Sequence, residues 1–241
     1  MQSENKLLEI GKNTAYKAGK FLLDNKLKNK VVESSEGRDI KLELDRLTET
    51  LIREELKSTS INILGEELGL DSNNSDRTWV IDPIDGTANY FRGLDQSCVS
   101  IALLEGDDAL VGIIFNFNTN EMFYASKGGG SFLNGDQIQV SEIAQRKQAS
   151  LTTGFPSSET ITDGYNFIDS LQGWKKIRMF GSAALSCAYV ASGRCDYYAE
   201  RGIFLWDFAA GICLVKEAGG EADFERIDDK RYQVKFSNGF L

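Results

Sequence analysis

The stretch Thr78–Phe91, TWVIDPIDGTANYF, drives an apolar strand straight into two carboxylates. Trp79, Val80 and Ile81 ask for burial, Asp82 and Asp85 follow on either side of Pro83–Ile84, and Gly86–Thr87 close the run. Two carboxylates about 4 Å apart repel by about 4 kcal/mol at an effective dielectric of ~20. Burial at a strand end also strips their solvation. A fold tolerates this in three ways: one carboxyl is protonated, a basic side chain pairs with them, or a cation sits between them. Arg77 and Arg92 flank the motif. A hard cation would find two carboxylates and the Ile84 carbonyl here. Gly86 permits close backbone approach, the first N–H groups of a helix suit phosphate, and Thr87 adds a hydroxyl that can hold a water. The competing reading is a surface Asp-Pro turn with a side-chain cap.

The chain has 241 residues and no histidine. Ser-His-Asp triads, Cys-His pairs, HExxH zinc sites and histidine phosphotransfer are therefore excluded. Acid–base work falls to carboxylates, hydroxyls, lysines or metal-bound water. With 27 Lys and Arg against 36 Asp and Glu, the net charge is −9. That disfavours nucleic-acid binding and favours a divalent cation. Cys98, Cys187, Cys195 and Cys213 are scattered without a CxxC pair, which reads as reduced, mostly buried thiols of a cytoplasmic protein. No apolar run reaches the ~18 residues of a membrane span, and the opening MQSENKLLEI lacks the pattern of a signal peptide.

Leu7, Leu8, Gly11, Ala15, Ala18 and Leu22 recur at helical spacing behind Ser3, an expected N-cap. Leu44, Leu47, Leu51 and Leu56 suggest a second helix, and the polar NKVVESSEGRDIK between them a mobile loop or hairpin. Closely spaced strand patterns follow, INILGEE, TWVID, SCVSIALLEG, ALVGIIFNF and EMFYASKGGG, predicting an antiparallel sheet. Beyond the polar SEIAQRKQAS, strands and helices alternate, including a helix expected over 160–172, as in an α/β layer. The expected halves are 1–145 and 146–241.

Two further carboxylate motifs stand out. ILGEELG places Glu66 and Glu67 after an apolar strand, either as a charged surface end or as ligands. Asp207 sits among Trp206, Phe208, Ala209 and Ala210, either as the N-cap of a helix starting at Phe208 or as a metal ligand. KGGGSFLNG is followed by no helix and reads as a turn. DSNNSD lacks the glycine and closing glutamate of a calcium loop, and no P-loop is present.

GEE, then WVIDPIDGTANYFRG, then GSAALSCAYVASGRCDYYAERGIFLWDFAAGICLVKEAGG together resemble the inositol monophosphatase superfamily of Mg2+-dependent, lithium-sensitive phosphatases, over about residues 1–239. The resemblance implies the layered α/β/α/β/α sandwich of the inositol monophosphatase and fructose-1,6-bisphosphatase type, usually as a homodimer. It implies that Glu66, Asp82, the Ile84 carbonyl, Asp85 and Asp207 hold two or three Mg2+ ions. Gly86 and Thr87 would bind the phosphate, together with Asp85 and Asp207 through the metals. Thr87, paired with Asp45, would orient the attacking water, with Glu66 beside the metal that activates it and Glu67 behind. Gly181, Ser182, Ala183 and Glu200 would line the pocket for the alcohol. The implied reaction is hydrolysis of a small phosphate monoester, first inositol-1-phosphate, with fructose-1,6-bisphosphate, 3′-phosphoadenosine 5′-phosphate and histidinol phosphate as rivals. A non-catalytic regulatory dimer is the alternative from another class. The chain departs from the family pattern at Glu43, where a threonine is common, and at Ser186, where many relatives are acidic. It also ends at SNGFL, where relatives commonly carry a final helix.

Overall fold

The computed structural model describes residues 3–26, 32–36, 39–155 and 167–241. The chain runs α1 (Glu4–Asn25), a hairpin of β1 (Val32–Glu36) and β2 (Asp39–Leu42), α2 (Glu43–Leu56), β3 (Asn62–Gly65), β4 (Gly69–Asp71), β5 (Arg77–Asp85) and α3 (Thr87–Arg92). Then come β6 (Cys98–Glu105), β7 (Asp108–Asn116), β8 (Glu121–Ser126), β9 (Gly130–Leu133) and β10 (Asp136–Ile138). The remainder is β11 (Ser150–Thr152), β12 (Lys176–Arg178), α4 (Ala183–Ala191), β13 (Tyr197–Phe204), α5 (Leu205–Glu217), β14 (Glu221–Arg226) and β15 (Arg231–Ser237).

Strands β3 to β10 form an eight-stranded sheet in the order β10-β9-β8-β7-β6-β5-β3-β4, and the last five strands a second sheet ordered β12-β11-β13-β15-β14. The first sheet is antiparallel as its short turns predict, except that β3 pairs parallel with β5. In the second, β11 lies parallel to both β12 and β13. Helices α1 and α2 cover one face of the large sheet, and α4 and α5 fill the space between the sheets. On the outer side of the small sheet, Trp174 packs its ring 5.2 Å from Tyr197, just past a helical turn at residues 167–170. This is the α/β/α/β/α layering of the resemblance.

Helices on both faces explain why β5 is buried from Trp79 to Asp85 without alternation. Trp79, Ile81 and Ile84 join the core under α1, while Val80 joins the core around α5. The predicted stripe of α1 is buried at Leu7, Gly11, Ala15, Ala18 and Leu22, but Ser3 caps with its backbone carbonyl and not its side chain. The helix suggested by Leu44, Leu47, Leu51 and Leu56 forms as α2: Leu56 is buried, Leu44 and Leu51 pack against the core and Leu47 is 40% exposed, while Asp45, Thr48, Glu49 and Ile52 are buried beside them. The side of α2 that meets the sheet is polar because it also meets the site. The segment after α1 contains a hairpin, as one of its two readings had it. The helix expected over 160–172 falls partly on residues 156–166, outside the described residues, and residues 167–170 are helical. Asp207 lies inside the first turn of α5 and is not its N-cap, because the helix begins at Leu205.

Candidate active site

A regular strand sends residues three apart to opposite faces. In β5 the register against β6 slips between Asp82 (opposite Ser100) and Asp85 (opposite Cys98), adding one residue where Pro83 sits. Such a bulge suits proline and re-aims side chains. Asp82 and Asp85 thereby end in one acidic cluster, 2% and 7% exposed. Asp82 Oδ1 accepts the Ile84 N–H at 3.0 Å, which locks the bulge.

Burial pushes the Asp82 carboxyl well above the usual carboxylate range, and Glu66, Asp85, Asp207 and Asp45 push it further in the same direction. The structure thus brings four of the predicted carboxylates around Asp82. Asp207 is likewise raised, first by burial, then by Asp85 and Glu66, and is steadied by the Phe204 N–H at 2.8 Å. Asp85 is raised by burial and eased by hydrogen bonds. Its Oδ2 accepts the Ser182 hydroxyl, the Ala184 N–H at 2.9 Å and the Cys98 thiol at 3.5 Å; Oδ1 accepts the Ala183 N–H at 3.2 Å. The N-terminus of α4 therefore holds this carboxylate, as a helix start holds an anion. Ser182 and Ala183, expected to line the substrate pocket, both donate to Asp85, and the Ser182 hydroxyl also caps α4 by accepting the Leu185 N–H at 3.2 Å.

Thr87 opens α3 behind Gly86, whose φ is 85°. A Cβ on Gly86 would stand 2.6 Å from the Gln96 carbonyl oxygen, so this turn accepts no other residue without moving its neighbours. Thr87 Oγ1 lies 3.1 Å from Asp45 Oδ1 and 2.8 Å from the Ile84 carbonyl oxygen. Asp45, 1% exposed, comes from the first turn of α2, so the expected Thr87–Asp45 pair forms. Glu43 is half-buried at the start of the same helix.

Glu66 follows β3 directly and is half-buried, as is Glu67. Glu200 on β13 accepts the Tyr198 hydroxyl at 2.9 Å, and burial lifts its carboxyl to about 7. Gly181 is exposed, and its carbonyl accepts the Asn89 side-chain amide at 3.2 Å. The same amide reaches Gln96 O and Phe180 O, both at 2.7 Å, tying α3 to the approach to α4. Ser186 is buried, donating to Ser182 O at 2.8 Å and pairing with the Thr152 hydroxyl at 2.9 Å, away from any acidic role. Sequence reasoning missed Asn89, Cys98 and Glu49. An asparagine inside a helix and a Glu49–Arg53 pair four residues apart were the only available signals.

Among the described residues, no three acidic or thiol side chains already close on one point as a metal cage. The donor chemistry nevertheless fits a hard divalent cation. The cluster offers carboxylates and a carbonyl, and every charge acting most strongly on Asp82 is negative. A consequence concerns pH. Asp82, Asp85, Asp207 and Glu200 all have raised carboxyls, so the folded chain holds protons that the unfolded chain releases. Their contribution is complete below the ordinary carboxylate range and is lost as pH rises, for Glu200 through about 7. Metal-free protein should therefore melt lower at pH 8.5 than at pH 5, and added divalent cation should shrink the gap. A melting temperature that is flat or rises over this range contradicts the cluster.

The sequence model of the inositol monophosphatase family matches residues 3–225. The chain belongs to the inositol monophosphatase family. It is accordingly a phosphoric monoester hydrolase of a metal-dependent class. It is 43% identical over 229 residues to a Xylella fastidiosa protein named Nus factor SuhB, covering 90% of this chain and 83% of the relative. It is 38% identical to a Thermotoga maritima fructose-1,6-bisphosphatase/inositol-1-monophosphatase, covering 87% and 82%. Among solved structures, the extragenic suppressor protein suhB of Bartonella henselae superimposes with a TM-score of 0.88 at 31% identity, covering 95% of this chain and 93% of that one. No helix among the described residues is long and apolar enough to cross a membrane.

Proposed function

We propose that this protein hydrolyses a small polyol phosphate monoester, first inositol-1-phosphate, with Mg2+ held by Glu66, Asp82, the Ile84 carbonyl, Asp85 and Asp207. The observation that carries this reading is the Thr87 hydroxyl set between the buried Asp45 carboxylate and the Ile84 carbonyl, beside the acidic cluster. When bound, two or three such ions supply Lewis-acid chemistry to the water and the ester.

The residues of the chain supply the rest. A hydroxyl has one proton, so Thr87 donates either to Asp45 or to Ile84 O. With the Ile84 carbonyl committed as a ligand, the proton turns to Asp45, and Thr87 Oγ1 presents its lone pairs to a water proton. Asp45 thereby fixes the hydroxyl, the hydroxyl orients the water, and Thr87 can pass a proton towards Asp45. Glu66 would stand beside the ion that activates this water, with Glu67 behind it. The N–H groups of Gly86 and Thr87 would hold the phosphate oxygens. Glu200, with Gly181, Ser182 and Ala183, borders the alcohol. A carboxyl near neutrality there can accept from a substrate hydroxyl. The site lies where halves 1–145 and 146–241 meet. The four cysteines are free and buried, which supports a cytoplasmic setting. Lithium sensitivity and a homodimer complete the reading.

The Thermotoga relative's name supports fructose-1,6-bisphosphate as the first rival substrate. The test is kcat/KM for Mg2+-dependent phosphate release from inositol-1-phosphate, fructose-1,6-bisphosphate, 3′-phosphoadenosine 5′-phosphate and histidinol phosphate. Inositol-1-phosphate should lead, and a clear lead for another ester replaces it. The Nus factor name of the Xylella relative favours a second, protein-binding role. A catalytically dead variant with an intact surface would separate the two.

A further inference from the structure

Glu49 is a carboxylate with no part in the chemistry above, yet its side chain is fully buried beside the site. It stands one helical turn after Asp45 on the same inward face of α2. Its Oε2 accepts the Glu67 N–H at 2.7 Å, and its Oε1 accepts the Leu68 N–H at 3.1 Å. Arg53 neutralises it, with Nε at 2.8 Å and a terminal guanidinium nitrogen at 2.7 Å from Oε1. The same guanidinium donates to the Gly69 carbonyl at 2.5 Å. These anchors hold residues 67–69, the part of the β3–β4 turn that directly follows Glu66. Gly65, which opens it, leaves the room the carboxylate occupies: a Cβ there would stand 2.2 Å from Glu49 Oε1.

We infer that Glu49 is a positioning residue, a buried anchor that fixes the β3–β4 turn so that Glu66 is aimed at the cation site before any cation arrives. Resting on the proposed metal-dependent function, this inference assigns Glu49 no contact with the ion. Both of its oxygens are engaged by N–H groups, and its charge is balanced by Arg53. The Glu67 N–H belongs to the peptide unit that leaves Glu66, so holding it fixes the backbone from which that ligand projects. One face of α2 thus serves two loops, Asp45 holding Thr87 and Glu49 holding Glu66. Outer partners of this kind typically set metal affinity by about 10- to 100-fold.

The test uses Glu49→Gln, which keeps the volume but turns one acceptor oxygen into a donor facing an N–H. Gly65→Ala is the second variant, pressing on the carboxylate while leaving its charge in place. Mg2+ binding is measured by calorimetry on whole, folded, metal-free protein, with kcat read separately at saturating Mg2+. The expected result is a Mg2+ dissociation constant raised about 10- to 100-fold, with kcat recovering most of its wild-type value once Mg2+ saturates. A merely structural role would lower melting temperature and leave that constant alone. Wild-type affinity in either folded variant overturns the inference while leaving the proposed function standing. Failure of the wild type itself to bind Mg2+ overturns both.

Discussion

Asp82→Asn should lower phosphate release by about 10³-fold or more while raising the melting temperature of the metal-free protein. The two effects have one cause. Asp82 is 2% exposed, and its burial and the nearby Glu66, Asp85, Asp207 and Asp45 all oppose its charge. Asparagine keeps the volume and the oxygen that accepts the Ile84 N–H, but removes the charge. The metal-free fold loses a repulsion, and the cation loses a ligand charge. Several kcal/mol of charge stabilisation depend on the ion, and each 1.36 kcal/mol is tenfold in rate, which gives the ~10³-fold. Calorimetric melting and phosphate release on one preparation read both effects. Near-normal Mg2+-dependent turnover in this variant would mean that Asp82 is not a ligand.

Thr87→Ala should lower kcat by about 10²- to 10⁴-fold, the range for a positioned proton-transfer group, with Mg2+ affinity close to wild type. The methyl group of alanine cannot bridge Asp45 to a water, but it leaves the Ile84 carbonyl and the carboxylates in place. Thr87→Ser should retain most of the activity, because the hydroxyl still lies within reach of Asp45 Oδ1. Steady-state kinetics at saturating Mg2+, paired with calorimetric Mg2+ binding, separates loss of the hydroxyl from loss of the ion. A kcat for Thr87→Ala within a few-fold of wild type would remove Thr87 from the water-orienting role.

The fold was legible wherever apolar periodicity dominated. The stripe of α1 and the apolar run of β5 were both visible, as was the alternation after β11, because each buries hydrocarbon at a regular period. Sequence reading failed where polar groups are buried. In α2 the leucine spacing predicts the helix, but it does not show that Asp45, Thr48 and Glu49 also turn inward to hold the loops of the site. A hydrophobic pattern cannot report a carboxylate whose burial is offset by an arginine and two N–H groups. The Thr87–Asp45 pair was anticipated from the resemblance and is formed. The engagement of Asp85 by Ser182, Ala183 and Ala184 was not, because it depends on how the start of α4 docks against β5, a contact across 97 residues for Ser182. The parallel pairing of β3 with β5 was also hidden, since a short hairpin to β4 intervenes.

The most direct test is phosphate release from inositol-1-phosphate by metal-free protein as Mg2+ is added back, with Asp82→Asn alongside. The predicted result is no turnover without Mg2+, a saturable rise as it is added, and no rise in the variant. Full turnover by the metal-free wild type, or an equal rise in Asp82→Asn, would contradict a catalytic cation held by the carboxylates at the end of β5.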